Sequence, residues 1–345
     1  MNKQFCFVFL FVFLSSFVYC DELTDVPANA RNEFSDTEEA EKKISIDIKS
    51  IRDPNVLWNN LLLISNIEQR AEILIALGKM GKGNRQIIDN LNNYLMSMNI
   101  SYRSGVNHPY IVVSACISAI MELGDSSSYQ ALFTAVCTGY PEVITSEAFG
   151  ALEIIPGNLH QFLLNVIWNN PPEEKFTAFR IALNSDRFNV SERGQIAELA
   201  FDQALSVAED NINLNAMRFS AVLALTQIRW TRASALAIKH YYRVQTELYK
   251  NIVHKDRLIE AIKCLGAVGD SQAALVLGLQ LGLINARTES TSSYDDEMTF
   301  AIVQALGLIG DNAAFDHLLY VSNLSYGEHI KAAAREAIGN LKWGR

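Results

Sequence analysis

Apolar side chains recur along most of this chain at three- and four-residue steps. Ile262, Leu265 and Val268 are three apart, and Ile302, Leu306 and Ile309 are four and three apart, spacings that gather each set on one face of an α-helix. These strips belong to a longer unit that comes back again and again. It reads AEILIALGKMGK from Ala71, CISAIMELGDSSSYQALF from Cys116, AIKCLGAVGDSQAALVL from Ala261, AIVQALGLIGDNAAFDHLL from Ala301 and AAAREAIGNL from Ala332. Weaker copies are EAFGALEIIPGNLHQFLL from Glu147, AFRIALNSD from Ala178 and SAVLALTQIRW from Ser220. The small residue before the Leu or Ile gives anchors at Ala76, Ala119, Ala151, Ala182, Ala224, Cys264, Ala305 and Ala337, at intervals of 43, 32, 31, 42, 40, 41 and 32 residues. Each interval holds two apolar-periodic helices, so the repeating unit is a helical hairpin and the chain is all-α with about eight of them.

Small residues beside the anchors, among them Gly78, Gly266, Ala305 and Gly307, allow a neighbouring helix to come close. The pairs Gly124-Asp125, Gly269-Asp270 and Gly310-Asp311 read as a stop and a start: Gly accepts the left-handed turn that ends one helix, and Asp caps the N–H groups of the next. Asp53-Pro54 opens the first hairpin, with Asp as cap and Pro at the first helical position. With its ALG-x-x-GD signature, the chain resembles the HEAT-repeat family in its short bacterial form, over roughly residues 45 to 343. The resemblance implies a right-handed α-solenoid of about eight HEAT-type hairpins. It also implies an internal basic ladder six residues before the anchor. Arg70, Arg218 and Lys331 match it, whereas Val113, Thr145, Phe176, Leu258 and Thr299 depart from it.

Where the unit exceeds about 40 residues, the extra chain is expected mostly between the two helices of a hairpin, near residues 96–108, 206–215 and 285–297. Loops of that kind project from one edge of a repeat stack and often carry binding.

Composition sharpens the picture in one respect. The 345 residues are 49% hydrophobic and carry a net charge of −9. That is enough apolar material for a large core, and it offers no basic face for nucleic acid. The first twenty residues, with Lys3, the apolar run from Phe5 to Phe13, and Cys20 before Asp21-Glu22, have the layout of a secretory signal peptide. Cys20 leaves two readings open: simple cleavage after it, or lipidation of Cys20 as the first residue of a lipoprotein. Tyr19 is larger than a lipoprotein signal wants before its Cys. Residues 21–43, polar and acidic, read as a flexible leader, followed by the repeat region from 44 to 345. Cys116, Cys137 and Cys264 lie in apolar stretches and are expected as buried free thiols.

Reactive chemistry is hard to assemble from these residues. His108, His160, His240, His254, His317 and His329 are scattered singly, without an H-x-x-x-H or H-E-x-x-H pair for a metal. No phosphate-cradling Gly-rich loop or G-x-S-x-G elbow is present, and no cofactor is expected. Asn99, Asn189 and Asn323 open N-x-S triplets. Tyr241, Tyr242 and Tyr249 follow Trp230 on a basic helix, residue types favoured as interface anchors, or else rings half buried against a neighbour. Trp343 is expected to cap the last hairpin.

The expected function is a non-catalytic scaffold or adaptor for protein partners in the bacterial cell envelope, periplasmic or envelope-associated. Membrane contact is expected only through a lipidated Cys20. Candidate partner-binding residues are Arg218, Tyr241, Tyr242, Glu260, Lys263, Gln304 and Arg335. The alternatives are an enzyme or ligand carrier with a pocket inside the superhelix, and a self-associating structural protein.

Overall fold

The computed structural model describes residues 48–206 and 211–343. The signal segment, Cys20 and the acidic leader lie outside the described residues. The sixteen α-helices among the described residues fall into eight successive pairs. These are α1 (Pro54–Leu63) with α2 (Ile67–Met80), α3 (Arg85–Arg103) with α4 (Tyr110–Leu123), α5 (Tyr129–Cys137) with α6 (Glu142–Ile154), and α7 (Leu159–Asn169) with α8 (Pro172–Asn184). They continue with α9 (Val190–Ser206) and α10 (Ile212–Ile228), α11 (Ser234–Tyr249) and α12 (Lys255–Val268), α13 (Ser271–Thr291) and α14 (Asp296–Ile309), and α15 (Phe315–Val321) and α16 (Glu328–Gly339). All eight anchors fall in the second helix of a pair. No strand occurs among the described residues.

Second helices pack on second helices, as α2 on α4, α4 on α6, and α8 through α16 in turn. First helices do the same in a parallel layer, as α3 on α5, and α7 through α15 in turn. The second-helix layer owes its closeness to missing side chains. A Cβ added to Gly78 would lie 2.7 Å from the Ala119 Cα, one on Gly266 2.8 Å from the Ala305 Cα, and one on Gly307 2.9 Å from the Ala337 Cβ. In each case the glycine two residues after one anchor receives the anchor of the next pair. The third pair has Glu153 at that position, and there the backbones of α6 and α8 meet only sparsely. Arg187, just after α8, takes over: its guanidinium donates to the carbonyls of Leu152 and Ile155 at 2.9 Å and of Gly157 at 3.1 Å. Phe162 of α7 adds ring contacts to Tyr129 and Phe133 of α5.

The helix ends follow the expected logic with one exception. Gly124 and Gly310 adopt φ of +66° and +70°, and Asp125, Asp270 and Asp311 accept from amides of the turn they open. Asp53 caps α1 through the Asn55 amide, with Pro54 following it. Gly269 is extended rather than left-handed. Its small size serves packing instead, since a Cβ there would sit 2.3 Å from the Leu265 carbonyl oxygen.

The expectation of long loops within the hairpins is corrected near 96–108 and 285–297, where the extra residues mostly lengthen the first helices, while residues 207–210 of the third expected loop lie outside the described residues. α3 and α13 run 19 and 21 residues, whereas α5 and α15, which follow them in the first-helix layer, have 9 and 7. Residues 96–103 and 285–291 are therefore helical. Buried asparagines stabilise these extensions. Asn99 donates to the Ala131 carbonyl at 3.1 Å, and Asn285 to the His317 carbonyl at 3.0 Å. In both places a tyrosine after the short helix fills the space beside the long one. Tyr140 packs on Tyr102, and Tyr326 packs on Tyr294. The Tyr326 hydroxyl donates to Asn285 Oδ1 at 2.8 Å, whereas the Tyr140 hydroxyl and Asn99 Oδ1 have no hydrogen-bond partner.

Cys116 and Cys264 are buried and Cys137 partly so, all as free thiols. Burial pushes the Cys137 and Cys264 thiols up to about 12 and about 11. Trp343 remains largely exposed but sets its ring against Phe315 at 5.0 Å, and the Lys342 amide returns to the Gly310 carbonyl at 2.8 Å.

Four substitutions check this packing. Gly266→Val should lower stability in urea titration by about 1–3 kcal/mol. Gly150→Ala, where an added Cβ meets nothing within 4 Å, should raise it by about 0.5–1 kcal/mol. Tyr326→Phe should cost about 1–3 kcal/mol by stranding the buried Asn285 oxygen, while Tyr140→Phe should change stability little, because that hydroxyl makes no bond to lose.

Candidate interaction groove

A continuous crease runs along the exposed side of the second helices from α10 to α16. It holds three adjoining cavities of about 260, 470 and 500 Å³, and Gln304 lines all three. The floor is built from Gly266, Ala305, Gly307 and Ala337, the same small residues that bring the helices together, with Ala301 and Ala333 beside them. Where side chains must be small for backbones to approach, little remains to fill the surface above them, so close packing and the crease share one cause.

Larger side chains stand on this floor. Phe300 lines two of the cavities, with Leu308, Lys263, Glu260 and Glu336 around it. The rim at the helix N-termini is charged and cross-linked between pairs. Lys255 Nζ reaches Glu297 at 2.6 Å and Asp295 at 3.3 Å, and the bond to Glu297, with Asp295 adding to it, raises the Lys255 ammonium above its ordinary value. His329 Nε2 lies 3.0 Å from Asp296 Oδ2, and within α12 Arg257 pairs with Glu260 at 2.7 Å. Among the described residues no group of three or more His, Cys, Asp and Glu side chains is arranged to hold a metal ion.

Of the residues expected to contact partners, Glu260, Lys263 and Gln304 line the crease. Arg335 is exposed on α16 near Glu328, at 3.8 Å. Tyr242 is exposed on α11, in the other helix layer. Arg218 and Tyr241 are corrected: both are 1% exposed and cannot offer a surface. Arg218 donates to both Glu247 oxygens at 2.9 Å, and Arg243 reaches the same carboxylate at 2.9 Å. The Arg218 and Arg257 guanidiniums lie 4.5 and 4.3 Å from the Phe219 ring centre. His240, enclosed by Phe201 and Phe219, is driven down to about 3 by burial and then by the three nearby arginines, Arg218, Arg243 and Arg257. It is therefore neutral at physiological pH. This cluster fastens α10, α11 and α12 together and belongs to the core.

Phe300, Leu308, His329 and Glu336 were not anticipated as groove residues. One signal was available: Lys263, Gln304 and Glu336 each stand one place before an anchor, and that column faces the crease in the last three pairs. No family model matches the chain, and no curated protein is significantly similar to it in sequence.

Arg218→Ala should lower stability by about 1–3 kcal/mol, because the buried Glu247 carboxylate loses two of its hydrogen bonds and keeps Arg243 as its ionic partner. Gln304→Ala, on the surface, should stay within about 0.5 kcal/mol of the parent. Urea unfolding of the two variants separates the core arginine from the groove.

Proposed function

We propose that this chain is a non-catalytic scaffold of the HEAT-repeat type, a right-handed α-solenoid of eight hairpins that holds a protein partner along its second-helix groove. The observation that carries this reading is the crease itself. It spans four helices, is floored by Gly and Ala, and combines the half-buried Phe300 ring with polar groups of both signs. Such a surface suits an extended segment, which can lay backbone against the small-residue floor and side chains into the successive cavities. Stacked helical pairs present surfaces of this kind. The two parallel helix layers support the solenoid, and the ALG-x-x-GD pattern supports the family.

We place the protein in the bacterial envelope on the strength of its first twenty residues, with Cys20 either removed with the signal or lipidated. The groove is a better match to a scaffold than to an enzyme, because its charged side chains are spread along the crease and its rim instead of converging on one point. An enclosed ligand pocket or a self-associating structural protein would be the alternatives.

A photo-crosslinking amino acid placed at Gln304, at Ala333 or at exposed Ile75 in α2 tests the reading in cells. The expected result is one or two discrete adducts from 304 and 333, weaker or none from 75, and loss of the adducts when Phe300→Asp is added. Folded protein that gives no adduct from 304 or 333 would overturn the groove as the binding surface.

A further inference from the structure

The opposite layer carries a second surface of different chemistry. α13 has no charged residue from Ser271 to Ala286. Its buried side includes Leu277, Leu281 and Ile284, yet its outer crest is also apolar: Leu275, Leu279 and Leu283 stand exposed in one file, the last two at 65% and 69%. A helix apolar on all sides ordinarily has a cover on all sides. The neighbouring helix α11 continues the patch. Gln245 of α11 donates to Gln280 of α13 at 3.3 Å, and the Asp270 amide donates to the Ser234 hydroxyl, so the two helices run side by side in parallel. That register sets Tyr242 beside Leu275 and Leu279, and Tyr249, 89% exposed, near Leu283.

Charge identifies the cover. In a chain of net charge −9, the exposed charges of these two helices and their ends are mostly basic. Lys239 lies at the Leu275 end, and Lys250 and Arg287 lie at the Leu283 end. The nearest carboxylates are Asp270, whose oxygen accepts the amides of Gln272 and Ala273, Asp311, which accepts the Ser271 hydroxyl, Glu289, which accepts the Tyr320 hydroxyl, and Asp316 on α15. Lys239, Lys250 and Arg287 around the leucine file complement an anionic surface. Crest leucines that project outward, tyrosines with apolar rings and polar tips, and flanking Lys and Arg are the groups that settle at the headgroup boundary of a bilayer. No helix among the described residues is long and apolar enough to cross a membrane. We propose that the crest of α11 and α13 rests on the surface of an anionic lipid bilayer, leaving the second-helix groove facing away from it.

The test uses the full chain with an environment-sensitive fluorophore on a cysteine at Leu279→Cys or, on the groove side, Leu308→Cys. Each is mixed with phosphatidylcholine vesicles, with or without phosphatidylglycerol. Any contribution from the apolar run at Phe5–Phe13 is common to both labelled chains. The expected result is a blue shift at 279 with the anionic vesicles only, and none at 308. Adding Lys239→Glu, Lys250→Glu and Arg287→Glu should weaken the partitioning more than about tenfold, since each basic residue near such a surface contributes about 1 kcal/mol. Circular dichroism confirms that the variants are folded. No shift at 279 with anionic vesicles, or equal shifts at 279 and 308, overturns the proposal. A shift at 279 that follows protein concentration without vesicles also overturns it and assigns the face to a second copy.

Discussion

The tightest joints of this molecule rest on the contact between a glycine and the following anchor alanine. At Gly78–Ala119, Gly266–Ala305 and Gly307–Ala337 there is no room for one more carbon atom, so successive second helices are fixed at nearly backbone contact. That distance leaves room above only for a shallow, small-residue crease. The other joints lack this contact. Met121, Asn184 and Thr226 take the glycine's place elsewhere and their helices still pack on the next, whereas at Glu153 the helices meet only sparsely and a guanidinium bridging three carbonyls holds the joint. Those hydrogen bonds are directional and satisfy helix-end carbonyls that would otherwise need water.

Helix existence and pairing were legible because they depend on local spacing. The anchors, the Gly-Asp turns and the Asp53-Pro54 start are all short-range patterns, and each marks a helix or a helix end. What could not be read was decided by partners distant in sequence. Residues 96–103 and 285–291 look like loops because they are rich in Asn, Ser, Thr and Arg. They are helical because Asn99 and Asn285 find carbonyls 32 residues away, which makes a buried amide affordable. Arg218 looked like surface for the same reason, and Glu247, 29 residues on, takes it into the core. The leucine file on α13 runs in the opposite sense, since an uncharged helix reads as interior from every side and yet Leu279 and Leu283 stand exposed.

The candidate groove was half visible. Lys263 and Gln304 share a column that a repeat alignment exposes, but the ring of Phe300 and the His329–Asp296 pair come from other columns and adjoining pairs. Their convergence is a property of the packing, not of any one repeat. The two outer surfaces also differ for a physical reason. Second helices must be small at their mutual contacts and so end in a crease, whereas the first helices are free to vary in length and to raise bulky crests.

That freedom has a rule of its own. Asn99 and Asn285 each stand twenty residues before their pair's anchor, and their acceptors, Ala131 and His317, stand twenty before the next. Tyr140 and Tyr326 likewise share a position, eleven before the anchor. Both sets occur where a long first helix is followed by a short one. The amide ties the long helix to the backbone of its short neighbour, and the tyrosine ring occupies the volume that the missing turns would have filled. In the seventh and eighth pairs the tyrosine hydroxyl also completes the amide's second bond; in the second and third it does not. The step from long to short is thus a repeated, chemically specified feature, in which a buried polar group sets where the first-helix layer changes length.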